Sequence, residues 1–472
     1  MKRIAIIGGG VSGLSAAYSL EKQKKSGAEI DYVIFESDPR FGGVIQTERF
    51  DDFVIEAGPD SFLTEKPWAA ELCRELGLAD QLIPSNDAER RTYILLNGAL
   101  VPLPDGLMFM VPTNLPATFF SRLFSWQTKL RMIREWFYRP SSDPSECTVA
   151  KFVERHYGRE MVERVADPLL AGVYGGSADE LSVTAVLPRF SEIGARQGSL
   201  GRAMVAARKL QSTAPRPLFT SLKNGMQTMT DAIVARIPES ARRLNTSVEV
   251  LKPESGKWLV LSGGRTEEFD AVILAVPAYT TVQLARSDLP QLASELDQIK
   301  YSSSVTVALA YDEKVRNSLP KGFGFLVPRA ERQHILACTF VHQKFAARAP
   351  ANRALLRCFL GGSRDEQIMQ ASDQQIERIV YRELNEILGI TAKPLFVRIN
   401  RWHKAMAQYR LGHNARVERI HQLTSTIRGL ALAGNAYGGI GIPDCVRSGT
   451  EAAAKILHDF AIPSPRAAQS VS

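Results

Sequence analysis

The sequence predicts an α/β protein of several domains, organised around a nucleotide-binding unit with a parallel sheet. Three observations support this prediction. An apolar, β-branched run near the N-terminus leads into a glycine cluster, a helix-like stretch follows the cluster, and a second apolar run ends at an acid. With 472 residues, the chain is long enough for about three domains.

The first segment has the order of elements that a dinucleotide site needs. Residues 4–7 predict a strand, residues 14–25 a helix and residues 32–35 a second strand. Glycines between the first strand and the helix allow a tight turn and let Gly10 approach a pyrophosphate at the helix N-terminus. Glu36 ends the second strand, where its carboxylate suits the hydroxyls of an adenosine ribose. The predicted cofactor-binding residues here are Gly8, Gly9, Gly10, Val11, Ser12, Gly13 and Glu36.

A second glycine pair follows closely behind Glu36. Gly42 and Gly43 would let the backbone pass close to the cofactor, and Arg40 can place a charge on the pyrophosphate. The alternative is a surface turn with a solvated arginine. Because the pair follows the acid so closely, the cofactor role is favoured for Ser37, Arg40, Gly42 and Gly43.

The composition is that of an ordinary globular protein, with 45% hydrophobic and 23% charged residues. The net charge of +8 fits an anionic substrate, an acidic membrane surface or nucleic acid. No compact basic block or nucleic-acid motif occurs, so nucleic acid is not an expected partner. Five scattered cysteines without CxxC spacing indicate neither a disulfide framework nor a metal site, and they suit the cytoplasm. No signal peptide or membrane-spanning segment is expected.

Residues 116–137 predict one long helix with an apolar stripe. Leu123, Trp126, Leu130 and Ile133 fall with Phe137 within an arc of about 80° on a helical wheel. Basic residues flank this stripe, as they do on helices that lie on a membrane surface. An ordinary helix that faces a protein core shows the same pattern and is the favoured interpretation.

Two side chains are candidates for contact with a ligand. Lys66 starts a predicted helix at residues 66–78, where a cation opposes the helix dipole, so a partner such as a substrate carboxylate is expected. Tyr174 lies in a glycine-rich turn, residues 171–177, where a planar ligand could approach the backbone. A solvated lysine and a plain helix break are the respective alternatives.

The rest of the chain alternates between strand and helix patterns. Its closing segment is a buried strand at residues 430–433, a glycine string and a helix to residue 460, with Pro443 and Asp444 suited to the first helical turn. Further strands are predicted at residues 247–250, 257–262, 266–269, 302–311, 354–359 and 395–401, and a helix at residues 374–388. Hairpin turns are predicted at Asn97-Gly98 and Gly263-Gly264.

Taken together, these motifs resemble the FAD superfamily of flavin amine oxidases, phytoene desaturases and porphyrinogen oxidases. The resemblance starts from the glycine loop, the acid and the R-x-G-G segment at Arg40. Four further segments narrow it to the porphyrinogen oxidases of haem synthesis. They are residues 58–63, residues 171–174, Arg401-Trp402 with Gln408-Tyr409, and residues 439–445.

The resemblance implies FAD as the cofactor and adds residues to its site. In that family the turn at residues 58–61 passes beside the flavin ring, and the residue matching Val248 meets the adenine. Trp402 is implied to contact the flavin, and amides at the start of the last helix would face the flavin's pyrimidine edge. Asn435 stands where many relatives in the wider superfamily have an acid. The implied residues are Gly58, Pro59, Asp60, Ser61, Val248, Trp402, Gly434, Asn435, Ile440, Gly441 and Ile442.

The resemblance also implies three domains. The FAD-binding domain is Rossmann-like, of the glutathione-reductase or p-hydroxybenzoate-hydroxylase type, and is expected at residues 1–65, 215–280 and 403–462. A mixed-sheet substrate domain is expected at residues 66–111 and 281–402. A helical domain, a candidate for membrane association, is expected at residues 112–214, and residues 463–472 form an expected flexible tail.

The activity that the resemblance implies is oxidation of coproporphyrinogen III to coproporphyrin III, with dioxygen as acceptor and release of hydrogen peroxide. Protoporphyrinogen IX is the alternative substrate. Hydride can leave the carbon that bridges two pyrroles directly, so no catalytic side chain is expected, and Lys66 is the candidate anchor for the propionates. Peripheral membrane contact and hand-over to the next enzyme of haem synthesis are further expectations. A flavin amine oxidase, a carotenoid desaturase and a non-catalytic flavoprotein scaffold are the rival interpretations.

Overall fold

A parallel five-stranded sheet gathers its strands from three distant parts of the chain. The computed structural model describes residues 1–140, 146–210 and 217–460. The central strand, Lys2–Ile7, pairs in parallel with a strand on each side, and its residues 4 to 7 are fully buried. The spatial order of the strands is Arg242–Arg243, Ile30–Phe35, Lys2–Ile7, Ala271–Leu274 and Leu430–Leu432.

Two helices from opposite ends of the chain pack together on this sheet. The first helix, Val11–Lys25, lies along the last helix, Ile442–Asp459, and both contribute to one apolar core with the sheet. Their backbones are so close that a Cβ atom on Gly449 would lie 2.0 Å from the carbonyl oxygen of Ser12. The opening loop and the start of the last helix are therefore neighbours.

The other side of the sheet is covered by a three-stranded antiparallel meander. Phe269 of the meander packs edge-on against Phe35, with ring centroids 5.9 Å apart. The meander strands are Val248–Glu254, Lys257–Ser262 and Arg265–Phe269, with the second hairpin turning on Gly263 and Gly264 as the sequence predicts. Smaller sheets join Thr47–Phe50 to Phe53–Glu56, Leu107–Met108 to Val111–Pro112, and Phe62–Leu63 to Phe219–Leu222 and Leu82–Pro84.

A second, mixed sheet of seven strands forms the other large unit. One face packs on the helix Asp373–Leu388, which begins with a capping box between Ser372 and Gln375. The opposite face packs on Phe53 and Ile55, so it faces the first unit. In spatial order the strands are Phe396–Ala407, Tyr301–Tyr311, Ala354–Gly361, Ile335–Phe340, Gly324–Leu326, Thr92–Leu96 and Ala99–Pro102. The hairpin between the last two turns on Asn97 and Gly98, as the sequence predicts.

Between residues 112 and 210 the described chain is almost entirely helical. A single turn of π-helix, Val162–Ala166, continues directly into the helix Asp167–Tyr174. The α-helices are Leu115–Phe120, Trp126–Glu135, Val149–Tyr157, Arg159–Met161, Asp167–Tyr174, Val183–Val186, Pro188–Gln197 and Leu200–Leu210. The α-helices elsewhere in the described chain that have not yet been given are Trp68–Glu75, Gln227–Val234, Ala278–Ala285, Pro290–Asp297, Glu313–Ser318, Val341–Lys344 and His413–Ser425.

The structure corrects the prediction for residues 116–137 in two ways. The segment forms two helices, Leu115–Phe120 and Trp126–Glu135, because the backbone becomes extended at Ser121 and Ser125 caps the start of the second helix. Most of the predicted core-facing stripe is on the surface: Trp126, Leu130 and Phe137 are 64%, 62% and 77% exposed, and only Leu123 is buried. The buried side of the second helix instead carries Thr128, Lys129, Met132 and Glu135.

The turn that was expected at residues 171–177 starts later. Ala171 to Tyr174 form the last turn of a helix, and the chain reverses only at Gly175, which has φ +58°. Tyr174 therefore stands on a helix end. The predicted tail at residues 463–472 lies outside the described residues. Within the described chain, none of the helices is long and apolar enough to cross a membrane.

Candidate functional site

The opening loop is built from backbone contacts that exclude side chains. A Cβ atom on Gly8 would lie 2.6 Å from the carbonyl oxygen of Ala275, and one on Gly13 only 1.9 Å from that of Gly8. At Gly10 the situation is the reverse, since a Cβ atom would meet nothing within 4 Å. The one open glycine of the loop thus stands at the N-cap of the first helix, where the helix dipole favours a phosphate.

The second glycine pair lies directly against the first loop. The amide of Gly42 donates to the carbonyl of Gly9 over 2.8 Å, and a Cβ atom on Gly43 would lie 3.1 Å from the Cα of Gly10. Arg40 holds this second loop in shape, because its guanidinium donates to the carbonyls of Phe41, Gly43 and Ile45. Its predicted contact with a pyrophosphate stays a prediction.

Glu36 is held in place by the first glycine loop, beside which the sequence predicts it to bind a ribose. Its Oε2 accepts a hydrogen bond from the amide of Gly9 (2.7 Å), and its Oε1 accepts from the amide of Asp38 (2.9 Å) and the hydroxyl of Ser37 (3.2 Å). The carbonyl of Glu36 accepts from the amide of Thr246, which brings the start of the meander and Val248 alongside. The acid, the loop and the start of the meander are therefore in direct contact.

The turn at residues 57–61 is tied to the seven-stranded sheet. The carbonyl of Ala57 accepts three side-chain hydrogen bonds, from Trp402 (2.9 Å), Thr306 (2.9 Å) and Arg357 (3.1 Å). A Cβ atom on Gly58 would lie 1.7 Å from the carbonyl oxygen of Val44, in the second glycine loop. Three strands of one unit therefore position a turn that packs on the nucleotide loops of the other.

Asp60 and Ser61 belong to a largely buried ionic group. Lys344 donates to both carboxylate oxygens of Asp60 (3.2 and 3.1 Å) and contacts the hydroxyl of Ser61 (3.1 Å). Burial alone would raise the pKa of Asp60, but the charges of Lys344 and Arg357 outweigh it and lower that pKa. The carboxylate of Asp60 is therefore ionised and fixed toward Lys344.

At the start of the last helix, Lys66 meets a protein carboxylate. Gly441 is the N-cap residue, and Asp444 in the first turn is 4% exposed and accepts from the Lys66 ammonium over 2.6 Å. The partner that dipole reasoning requires for Lys66 is thus Asp444, where a substrate carboxylate was expected. Because an ammonium has three donors and this side chain is 39% exposed, its role toward the substrate remains a prediction.

A chain of hydrogen bonds connects Tyr174 to the glycine string near the C-terminus. Gln408 donates to the carbonyl of Tyr174 over 2.7 Å. Next to it, the Tyr409 hydroxyl donates to the carbonyl of Asn435 (2.7 Å) and accepts from the amide of Gly439 (2.9 Å). Gly434 donates its amide to the hydroxyl of Ser448 on the last helix. The helical region, the long strand and the last helix converge here.

These contacts connect predicted residues from distant parts of the chain into one wall. Gly10, Gly43 and the turn at Gly58 form a continuous series of contacts, and the Lys66–Asp444 pair connects that turn to Gly441. Sequence reasoning missed Thr306, Lys344 and Arg357, and it placed Asp444 in the first helical turn without recognising it as the partner of Lys66. Each of the first three lies on a strand or helix whose pattern indicates only a core position, so no local signal marked it.

The wall fits a dinucleotide with a redox half. Glu36 and the open Gly10 are residues that would hold an ADP moiety, and the 57–61 turn and the helix start at Gly441 would face its redox half. The family of flavin containing amine oxidoreductases matches residues 11–457. Fold and site together define an FAD-dependent oxidoreductase.

Individual relatives show which kind of FAD-dependent oxidoreductase the chain resembles. A coproporphyrinogen III oxidase of Bacillus subtilis is 33% identical over 97% of this chain and 98% of its own. A mitochondrial protoporphyrinogen oxidase of Nicotiana tabacum is 30% identical over 97% and 95%. A protein from Exiguobacterium sp. 255-15, proposed to be a protoporphyrinogen oxidase, superposes with a TM-score of 0.87 at 29% identity over 98% and 99%. The chain therefore belongs to the porphyrinogen oxidase family within the flavin containing amine oxidoreductases.

Gly10→Val is expected to yield a folded protein without flavin. The substitution adds a side chain where the protein itself has free space, so it blocks the cofactor and spares the fold. Flavin absorbance per purified protein and circular dichroism measure the two effects. Gly13→Ala is the contrasting variant, because its Cβ atom would clash with Gly8 and cost the fold as well. A Gly10→Val protein that purifies yellow would contradict the assignment.

His413 makes the site sensitive to acid. It stacks on Tyr409 with ring centroids 3.9 Å apart, and burial, helped by the charge of Arg416, lowers its pKa to about 4. The unfolded chain takes up this proton near pH 6.5, so the neutral histidine's contribution to stability is complete above that pH and is lost as the pH falls toward 4. His413→Phe should keep the stacking and remove this loss.

Urea unfolding at pH 7 and pH 4.5 measures the effect. The variant should gain about 2–3 kcal/mol relative to the parent between the two pH values. His421→Asn, at an exposed histidine of the same helix, is the control and should show no such gain. Equal acid sensitivity of parent and His413→Phe would show that another group titrates.

Proposed function

We propose that this protein oxidises coproporphyrinogen III to coproporphyrin III, with dioxygen as acceptor and release of hydrogen peroxide. The observation that carries the proposal is the similarity, over nearly the whole chain, to proteins named coproporphyrinogen III oxidase in Bacillus subtilis and Staphylococcus aureus. The five scattered cysteines, which indicate no disulfide framework, and the biosynthetic role of the family favour a place in the cytoplasm. There the product can pass directly to the next enzyme of haem synthesis.

The site supports a reaction that needs positioning more than acid–base catalysis. FAD, when bound, supplies the two-electron acceptor. Tyr174 stays protonated at neutral pH, because burial and then the charge of Asp444 raise its pKa, so its hydroxyl can donate a hydrogen bond. Trp402, Thr306 and Arg357 hold the 57–61 turn rigidly, which keeps the substrate's bridging carbon at a constant distance from the cofactor.

Lys66 is the proposed contact for a propionate. Its ammonium lies at the surface end of the pair with Asp444 and has donors to spare, so a substrate carboxylate can join the pair. Coproporphyrinogen III carries more carboxylates than protoporphyrinogen IX, whose vinyl groups replace two propionates. A site that anchors propionates with cations therefore favours the former substrate.

The decisive experiment compares porphyrin fluorescence formed from the two porphyrinogens by the flavin-loaded protein. We expect kcat/KM for coproporphyrinogen III to exceed that for protoporphyrinogen IX at least about tenfold, the worth of one charge-assisted hydrogen bond. Lys66→Gln should raise KM for coproporphyrinogen III, and Lys393→Gln, at an exposed lysine of the other unit, should not. Anaerobic bleaching by cyclohexylamine and not by either porphyrinogen would show an amine oxidase, and no bleaching at all would show a scaffold.

We further propose that the helical region rests on a membrane surface. Phe120, Trp126, Leu130 and Phe137 are each more than 60% exposed, and Ile133 is 40% exposed. Exposed Arg122, Arg131 and Arg134 flank these side chains. Large apolar side chains next to arginines fit the boundary between acyl chains and anionic head groups.

Co-sedimentation with vesicles of phosphatidylglycerol and phosphatidylcholine tests this contact. The parent protein should bind in proportion to the anionic lipid, and Trp126→Ser/Leu130→Ser/Phe137→Ser should reduce binding by about tenfold or more. Leu395→Ser, which changes a 52% exposed leucine on the other unit, is the matched control. If the parent is a stable dimer in solution and the triple variant is a monomer, the surface contacts a second copy of the chain and the proposal is contradicted.

A further inference from the structure

Behind the 57–61 turn lies a buried cluster of five charged side chains. Three are cations, Lys344, Arg348 and Arg357, which are 8%, 0% and 4% exposed. Two are carboxylates: Glu56, which is 4% exposed, and Asp60, whose side chain is 16% exposed. Even with both carboxylates ionised, the cluster holds one positive charge in excess.

The excess is larger if Glu56 carries a proton. Arg348 contacts the Glu56 carboxylate over 3.0 Å, while Met226 and Thr47 also donate to it. Burial nevertheless raises the pKa of Glu56, with the charge of Arg348 opposing it. Asp60 alone is firmly ionised. Buried, uncompensated positive charge lowers stability, so packing does not explain why three cations are concentrated here.

Arg357 is the cation whose hydrogen-bond partners are all uncharged, although it lies near enough to Asp60 to help lower the pKa of that carboxylate. Its guanidinium donates to the carbonyls of Ala57 and Gly58 and lies 4.8 Å from the centre of the Phe359 ring. Carbonyl oxygens and a ring face satisfy donors but carry no net charge. Both bonds come from one guanidinium nitrogen, so a lysine here keeps a donor and the charge, whereas a glutamine keeps only a donor.

The geometry of the turn shows which side of the protein this charge faces. Gly58 packs on Val44, the neighbour of Gly43, which in turn contacts Gly10. Glu36, which fits the ribose, bonds to Gly9 on the other side of Gly10. A dinucleotide that crosses Gly10 with its pyrophosphate must therefore extend its redox half past the 57–61 turn.

We propose that Arg357, with Asp60 and Lys344, is a positioning cluster that holds the 57–61 turn and raises the reduction potential of the bound flavin. Positive charge behind the turn favours the redox state of the cofactor that carries more negative charge. Asp60 limits the effect and orients Lys344. The cluster thus acts through the turn and its electric field, and no member needs to touch the substrate.

The test is the reduction potential of the flavin in the loaded protein, measured by dye equilibration in the absence of any porphyrinogen. Arg357→Gln keeps a donor and removes the charge. It should lower the equilibrium constant for two-electron reduction of the flavin at least tenfold, which corresponds to a decrease of about 30 mV in the reduction potential. Arg357→Lys keeps the charge and should stay nearer the parent. Asp60→Asn removes a negative charge and should move the potential in the opposite direction.

Two outcomes would overturn the proposal. One is an unchanged reduction potential in Arg357→Gln. The other is an equal decrease of the potential in Arg357→Gln and Arg357→Lys, which would indicate that the geometry of the hydrogen bonds sets the potential and the charge does not. If Arg357→Gln does not fold, Asp60→Asn decides, because an unchanged or lowered potential there contradicts the proposal. Since no porphyrinogen is present, the result is independent of which substrate the enzyme prefers.

Discussion

The close approach of backbones at the glycine loops is the constraint on which the rest of the structure depends. Gly13 packs on the carbonyl of Gly8, Gly43 on the Cα of Gly10, and Gly449 on the carbonyl of Ser12, each at a distance that a side chain would prevent. These contacts bring the first helix, the second loop and the last helix into one wall. The two ends of the chain meet in this wall because Gly13 and Gly449 carry no side chain.

A second set of interactions connects this wall to the seven-stranded sheet. Ala57 offers one carbonyl to three side chains from three strands, so the turn beside the nucleotide loops moves with the sheet. The consequence for chemistry is geometric. When the cofactor accepts the electrons, the reaction depends on the distance between the flavin ring and the substrate ring. Buried hydrogen bonds keep that distance constant, and the reaction does not need a mobile acid–base pair.

Local patterns predicted most elements well, and the misses have physical causes. The long strands at residues 2–7, 30–35, 301–311, 354–361 and 396–407 and the hairpin at Asn97-Gly98 occur as expected, because alternation and turn chemistry are local properties. The strands Gly324–Leu326 and Ile335–Phe340 were not predicted. The stripe through Trp126 and Phe137 shows only that one side of a helix is apolar, and the favoured core-facing interpretation was wrong. Lys66 was recognised as needing an anion, but the anion is Asp444, which lies almost the whole length of the chain away.

The sequence by itself determined the two glycine loops, the place of Glu36 beside them and the family, since each depends on residue types at short spacing. Only the tertiary structure decided which buried ions surround the 57–61 turn and which apolar side chains remain outside. Arg357, Lys344 and Asp60 come from separate elements, and their charges gain meaning only through burial and proximity. Electrostatic energy depends on distance in space and on the surrounding medium, and neither quantity is encoded in neighbouring residues.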